Sequence, residues 1–318
     1  FVMKLHDEDA TGPFVMKLHD EINEPANFIE PCYRSNFHLY FLNAKQILDN
    51  MFILVRSETR EPTTFQNLKK QYVKVLNNIQ GTSFKEDNPV FVDFSNDFGT
   101  ALVRCGMIKP EDKDKEDFLF TSHEQEYILN KIEKAMNLIK IINPNLHFLI
   151  HNVISTIGCV RKKGYAGGSV STAVGMIWIN PLAKWTVVDY ADAIVHEFIH
   201  NSLFLDDMVN CIFPNSSLLN NPDALVTSTI RKTKRGLDKS FHSAAVAIGL
   251  MYFYNALNNQ QKVDSFVQPV LKTLLEISKI NSMYMTNRGY NINNDMLYIL
   301  ETMDFNIINQ LLRLPSNF

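Results

Sequence analysis

The chain has 318 residues, 46% of them hydrophobic and 20% charged, with a formal net charge of −3. That balance excludes a disordered or fibrous chain, and the lack of a basic excess argues against a general nucleic-acid partner. No apolar run reaches the roughly 18–20 residues that span a bilayer, the N-terminus lacks a secretory pattern, and Cys32, Cys105, Cys159 and Cys211 form no CxxC pair, so a cytoplasmic protein with no membrane partner is expected.

The first feature along the chain is a repeat. Phe1–Glu8 and Phe14–Glu21 both read FVMKLHDE. The unit is too short and occurs too few times for a solenoid. It reads as a cloning duplication, to be set aside from the fold. The alternative is a tethered peptide that imitates a substrate. Residues 1–30 are accordingly taken as an N-terminal extension.

Phe37, Tyr40, Phe41, Ala44, Ile47 and Leu48 recur at helical spacing and predict a helix to about Val55. Phe65, Leu68, Tyr72, Val75 and Leu76 predict a second. A mixed stretch follows, with a strand-like PVFVDF and the charged run EDKDKED at Glu111–Asp117. Thr121 and Ser122 can cap a long helix to Ile142. Leu146–Ile157 is rich in β-branched residues and reads as a strand. On a strand, its His147 and His151 would share a face yet lie too far apart to chelate. After a Gly-rich loop at Gly164–Gly175, MIWIN (Met176–Asn180) reads as a strand, and Val187 to about Leu205 as a helix. Asn210–Asp238 reads as an irregular connection, and three further helices fit Lys239–Leu257, Val263–Ile280 and Asn294–Leu312. The expected class is α+β, mostly helical.

The strongest chemical signal is His196-Glu197-Phe198-Ile199-His200, an HExxH motif. Residues i and i+4 lie one turn apart on a helix, so two imidazoles can converge on one metal ion. The intervening glutamate projects near the same ion. A catalytic metal site needs a third protein ligand and an open position. No HxxGxxH continuation follows His200, and the first glutamate after it is Glu276. His242 is the candidate third ligand, at the start of a small-residue helix, with Asp206, Asp207, Asp223 and Asp238 as rivals. Ahead of His242 runs Ser228-Thr229-Ile230-Arg231-Lys232-Thr233-Lys234-Arg235, a basic stretch suited to an anion, since an arginine fork pairs with a carboxylate.

These residues resemble the aKG-HExxH-type peptide beta-hydroxylases, which are associated with ribosomally made, modified peptides. That family pairs an HExxH helix with a later block like Ser-Pro-Trp-Arg-x-x-x-Arg-x-Leu-x-x-x-x-His. Ser228, Arg231, Arg235, Leu237 and His242 fall in that register. Thr229 and Ile230 depart from it where Pro and Trp are usual, and Lys234 replaces a Pro. The likeness covers about Gly175–Tyr254.

The resemblance implies a zincin-like arrangement with the HExxH helix beside a small sheet, in a single catalytic domain over 31–318 whose metal site lies within 175–255. It implies iron(II), held by His196, His200 and His242, and 2-oxoglutarate as co-substrate, bound by Ser228, Arg231 and Arg235. Glu197 is then a catalytic residue that orients a ligand or substrate. The implied reaction is β-hydroxylation, with molecular oxygen, of a His or Asp residue in a precursor peptide, and MIWIN would be an edge strand that pairs with that peptide. The alternative is a zinc metallopeptidase of zincin type with Glu197 as general base.

Overall fold

A computed structural model describes residues 39–60, 62–86 and 90–315. The duplicated FVMKLHDE segments, with His6 and Asp7, lie outside them. The fold is α+β and mostly helical, and the chain divides into two compact units. Within the described residues, one holds 51–204 and the other 39–50 with 205–315. No helix among the described residues is long and apolar enough to cross a membrane.

The first unit contains most of helix α1 (Ala44–Glu58), α2 (Phe65–Gln80), strand β1 (Phe91–Asp93), α3 (Asn96–Arg104), the short α4 (Pro110–Lys113) and α5 (Ser122–Ile142). It continues with α6 (Pro144–Val153), β2 (Thr156–Cys159), β3 (Gly167–Gly168), β4 (Met176–Ile179) and most of α7 (Val187–Asn210). Thr121 starts α5 with the capping box that its sequence suggests: the Thr121 hydroxyl accepts from Glu124 N, and the Glu124 carboxylate accepts from Thr121 N.

The stretch 146–157 departs from its predicted strand. It begins as helix α6, and only Thr156–Cys159 is extended. Two local signals outweigh the β-branched composition. The Asn143 side chain caps the helix by accepting from Asn145 N and Leu146 N, and Pro144 occupies the first helical position, where its missing N–H costs nothing.

The sheet has the order β1-β2-β4-β3. β1 and β4 both run parallel to β2, whereas β3 is antiparallel to β4. MIWIN is therefore an inner strand rather than the expected edge, because Gly167 and Gly168 pair with Ile179 and Trp178. All four residues of β4 are buried, as in a strand covered on both faces. Trp178 packs with Phe98, Leu102 and Phe118, and its indole Nε1 donates to Val160 O at 2.9 Å. Gly158 of β2 is required for close approach, since a Cβ there would sit 1.8 Å from the Phe98 ring.

The second unit is built around α8 (Leu237–Ala256), whose residues from Ser240 to Tyr254 are all buried. A helix apolar on every side is a central one, and α8 packs against α9 (Gln260–Ile277) and α10 (Asn287–Thr302). The last helix among the described residues is α11 (Asn306–Leu311). The single helix predicted over Asn294–Leu312 is divided at Met303, which takes a left-handed conformation (φ 49°) and stops α10. The connection after α7 holds a small antiparallel hairpin, β5 (Val226–Thr227) with β6 (Lys234–Arg235).

Candidate metal-binding helix and basic hairpin

The motif residues His196, Glu197 and His200 lie within α7, in the first unit. Thr186 starts this helix. Its amide and hydroxyl both donate to Asp189 Oδ2 at 2.7 Å, and its hydroxyl accepts from Asp189 N. The helix then places His196 and His200 one turn apart, with ring centroids 5.1 Å from each other. His200 stacks on Phe204 at 6.1 Å, which restricts its ring. His196 Nε2 is 4.0 Å from Glu197 Oε1, and the His196 side chain keeps 27% of its surface exposed. Burial lowers the His196 pKa below the ordinary imidazole range, and the neutral ring is the form that binds a metal.

Glu197 is 7% exposed. Its carboxyl is pushed up to about 8, chiefly by burial, against the opposing effect of Ser169, whose hydroxyl donates to Glu197 Oε2 at 2.7 Å. Ser169 directly follows β3. The same hydroxyl accepts from Asn201 Nδ2 at 3.1 Å, and Asn201 Nδ2 also reaches Glu197 O at 2.9 Å. On its other side, Asn201 Oδ1 accepts from Gly175 N at 2.8 Å. Asn201 is fully buried. It ties the motif turn of α7 to the entry of β4, and Ser169 holds Glu197 in one rotamer.

Neither Ser169 nor Asn201 emerges from motif reading. The available signal was position: Asn201 follows the motif directly, and Ser169 ends the Gly-Gly-Ser of a loop that otherwise reads as flexible.

The second unit holds Ser228, Arg231, Arg235 and His242. The basic run is the β5–β6 hairpin and its turn. Ser228 N donates to Thr233 O at 2.9 Å and Lys232 N to Ser228 O at 2.8 Å. Lys232 sits at φ 57° in that turn. Ser228 is buried, and its hydroxyl donates to Ser243 Oγ at 3.0 Å and accepts from Arg231 N at 3.4 Å. Ser228 thus joins the hairpin turn to α8.

Glu276 of α9 closes the other end. It accepts from Thr227 N at 2.7 Å and from Lys234 Nζ at 2.9 Å, a structural use of the first glutamate after the HExxH motif. Arg231 is exposed and Arg235 half-buried. The Arg235 pKa is lowered by burial and by the neighbouring Arg231, and raised by Asp238. His242 is 5% exposed, within the first turns of α8, and burial pushes it down to about 3, so its imidazole is also neutral.

The four rival carboxylates separate by their partners. Asp206 is bound by Arg288, Asn50 and Asn210. Asp207 accepts from Ile212 N and Phe213 N, and Asp223 accepts from Tyr284 OH. Asp238 differs, because its Oδ1 is buried with no hydrogen-bond partner among the described residues. Among those residues, no group of three or more His, Cys, Asp or Glu side chains is gathered as a metal would require.

No protein-family model matches the chain, and no curated protein matches it.

Proposed function

We propose that the protein is an iron(II)- and 2-oxoglutarate-dependent oxygenase that hydroxylates the β-carbon of a His or Asp residue in a ribosomally made precursor peptide. The observation that carries this reading is the turn of α7 with two imidazoles 5.1 Å apart, His196 with its pKa lowered by burial, beside a buried, hydroxyl-held carboxyl. Its donor chemistry suits a borderline divalent ion such as iron(II) or zinc. In this reading His196 and His200 hold the ion, and the resemblance supplies His242 as the third ligand. α7 and the four-stranded sheet support a zincin-like arrangement. Iron(II), when bound, supplies the redox centre for dioxygen and 2-oxoglutarate.

The chain's own residues then do two things. Arg231 or Arg235 pairs with the distal carboxylate of 2-oxoglutarate, a role that fits a cationic hairpin fixed by Ser228 and Glu276. Glu197 orients a ligand or the peptide from a rotamer set by Ser169.

One observation favours a second reading, a zinc metallopeptidase: Glu197 lies 4.0 Å from His196 Nε2, where a general base would stand. The Glu197→Gln variant separates the two. A peptidase loses turnover by about two to four orders of magnitude without its base. The hydroxylase keeps 2-oxoglutarate turnover measurable, because glutamine still accepts from Ser169. Metal-dependent peptide cleavage that needs no 2-oxoglutarate and vanishes in Glu197→Gln replaces the first reading with the second.

A further inference from the structure

A second histidine pair lies in the first unit, well apart in sequence from the motif. His147 and His151 are four residues apart on α6, and their Nε2 atoms are 3.1 Å from each other. The ring centroids are 4.4 Å apart at 60°. Both side chains are half-buried and so reachable from solvent. Phe148, between them in sequence, stacks on Phe65 of α2 at 5.5 Å, which fixes this face of α6.

The spacing is what one metal ion asks of two imidazoles. With metal–nitrogen bonds of about 2.05 Å, adjacent nitrogens stand about 2.9 Å apart in a square-planar site and about 3.4 Å apart in a tetrahedral one. The observed 3.1 Å lies between those values. We propose that His147 and His151 form a two-histidine chelating site for a divalent transition-metal ion of the copper, nickel or zinc type, with solvent completing the coordination.

The charged groups around the pair narrow the ion. Those facing His147 and His151 are cations, Lys69 from α2 and Lys140 from α5. Lys69 Nζ is itself buried with no hydrogen-bond partner among the described residues. Magnesium and calcium bind through carboxylate and carbonyl oxygens, which this surrounding does not offer. Copper(II), nickel(II) and zinc accept neutral imidazole nitrogen, with copper(II) the strongest of the series. The lysines also make a prediction that a plain histidine–histidine hydrogen bond does not: removing the Lys69 charge tightens metal binding.

Copper(II) titrated into the full chain, followed by electron paramagnetic resonance, tests the site. The His196→Asn/His200→Asn background removes the other pair. In that background one copper(II) ion per chain is expected, with a spectrum showing two equatorial nitrogens. Adding His147→Asn or His151→Asn removes one nitrogen and weakens binding at least about a hundredfold, as expected when a chelate becomes a single contact. Lys69→Met strengthens it.

The unaltered chain gives an independent measurement that no folding defect can obscure. Copper(II) or nickel(II) should protect His147 and His151 from diethylpyrocarbonate, read by peptide mass mapping. Equal modification with and without metal, or copper spectra unchanged by His147→Asn, overturns the proposal.

Discussion

Helix α7 places two sets of buried polar side chains in one continuous element, and they are built on opposite principles. Toward its end, Asp206 is saturated: Arg288 grips both its carboxylate oxygens at 2.9–3.1 Å, and Asn50 and Asn210 add further donors. Arg288 lies in turn over the Tyr40 ring at 4.0 Å. Nine residues earlier, about two and a half turns back in the motif, Glu197 takes a hydrogen bond from the Ser169 hydroxyl and faces no lysine or arginine among the described residues, so burial raises its pKa to about 8. A paired buried carboxylate serves the fold. A buried carboxyl left short of countercharge is held at a cost in stability, and such groups concentrate where chemistry is done.

The largest expected effect breaks the first set. Arg288→Ala leaves Asp206 buried without its cation and should destabilise the protein by about 3–5 kcal/mol, measured by urea unfolding. A loss of under 1 kcal/mol would erase the contrast drawn here.

Next comes Asn201→Ala in the motif turn. It strips Gly175 N of its acceptor in a fully buried site, and leaving such a group unpaired costs about 1–3 kcal/mol. The same unfolding experiment reads it. Glu197→Gln, by contrast, should leave stability at pH 7 unchanged or slightly higher, since it removes a buried ionisable group and keeps the acceptor.

The smallest effect is one of pH. Burial raises Asp207 to about 7, despite hydrogen bonds from Phe213 N and Ile212 N. The folded state therefore holds a proton between the ordinary aspartate pKa, near 4, and about 7 that the unfolded chain has released. Stability from this group is full below that window and is lost as pH rises through it. Asp207→Asn keeps an acceptor for both amides and abolishes the loss. Relative to the unaltered chain, the variant should gain at least about 1 kcal/mol between pH 4.5 and pH 7.5 in unfolding titrations. A flat difference would place the Asp207 pKa near its ordinary value.

How far the sequence carried this picture varies by element, for physical reasons. The α5 helix was legible because its signal is local, a capping box followed by apolar residues at helical spacing. The helical class of α7 was legible for the same reason, whereas α8 has no side-chain cap and was legible only as an apolar run of helix length. The β-branched run after Asn143 misled, because a side-chain cap and a proline at the first turn decide the start of α6 more strongly than composition does. That difference matters, since the helix is what brings His147 and His151 together.

The candidate site divides in the same way. His196, Glu197 and His200 are legible because helix periodicity converts spacing into proximity. Ser169 was not, since its contact with Glu197 crosses 28 positions of chain through a two-residue strand whose pairing no local pattern announces. The inner position of β4 was hidden likewise, because the strand that covers it is a pair of glycines. The structural duty of Ser228 follows from a turn that only the folded hairpin creates.

The central claim is that the motif helix serves oxidation of a peptide rather than its cleavage. The direct measurement is the mass of a candidate precursor peptide after incubation with anaerobically purified protein, iron(II), 2-oxoglutarate and oxygen. The account predicts a gain of one oxygen atom that requires 2-oxoglutarate and is lost in His196→Ala/His200→Ala. Cleavage of the peptide by the zinc-loaded protein, with no need for 2-oxoglutarate, would contradict it.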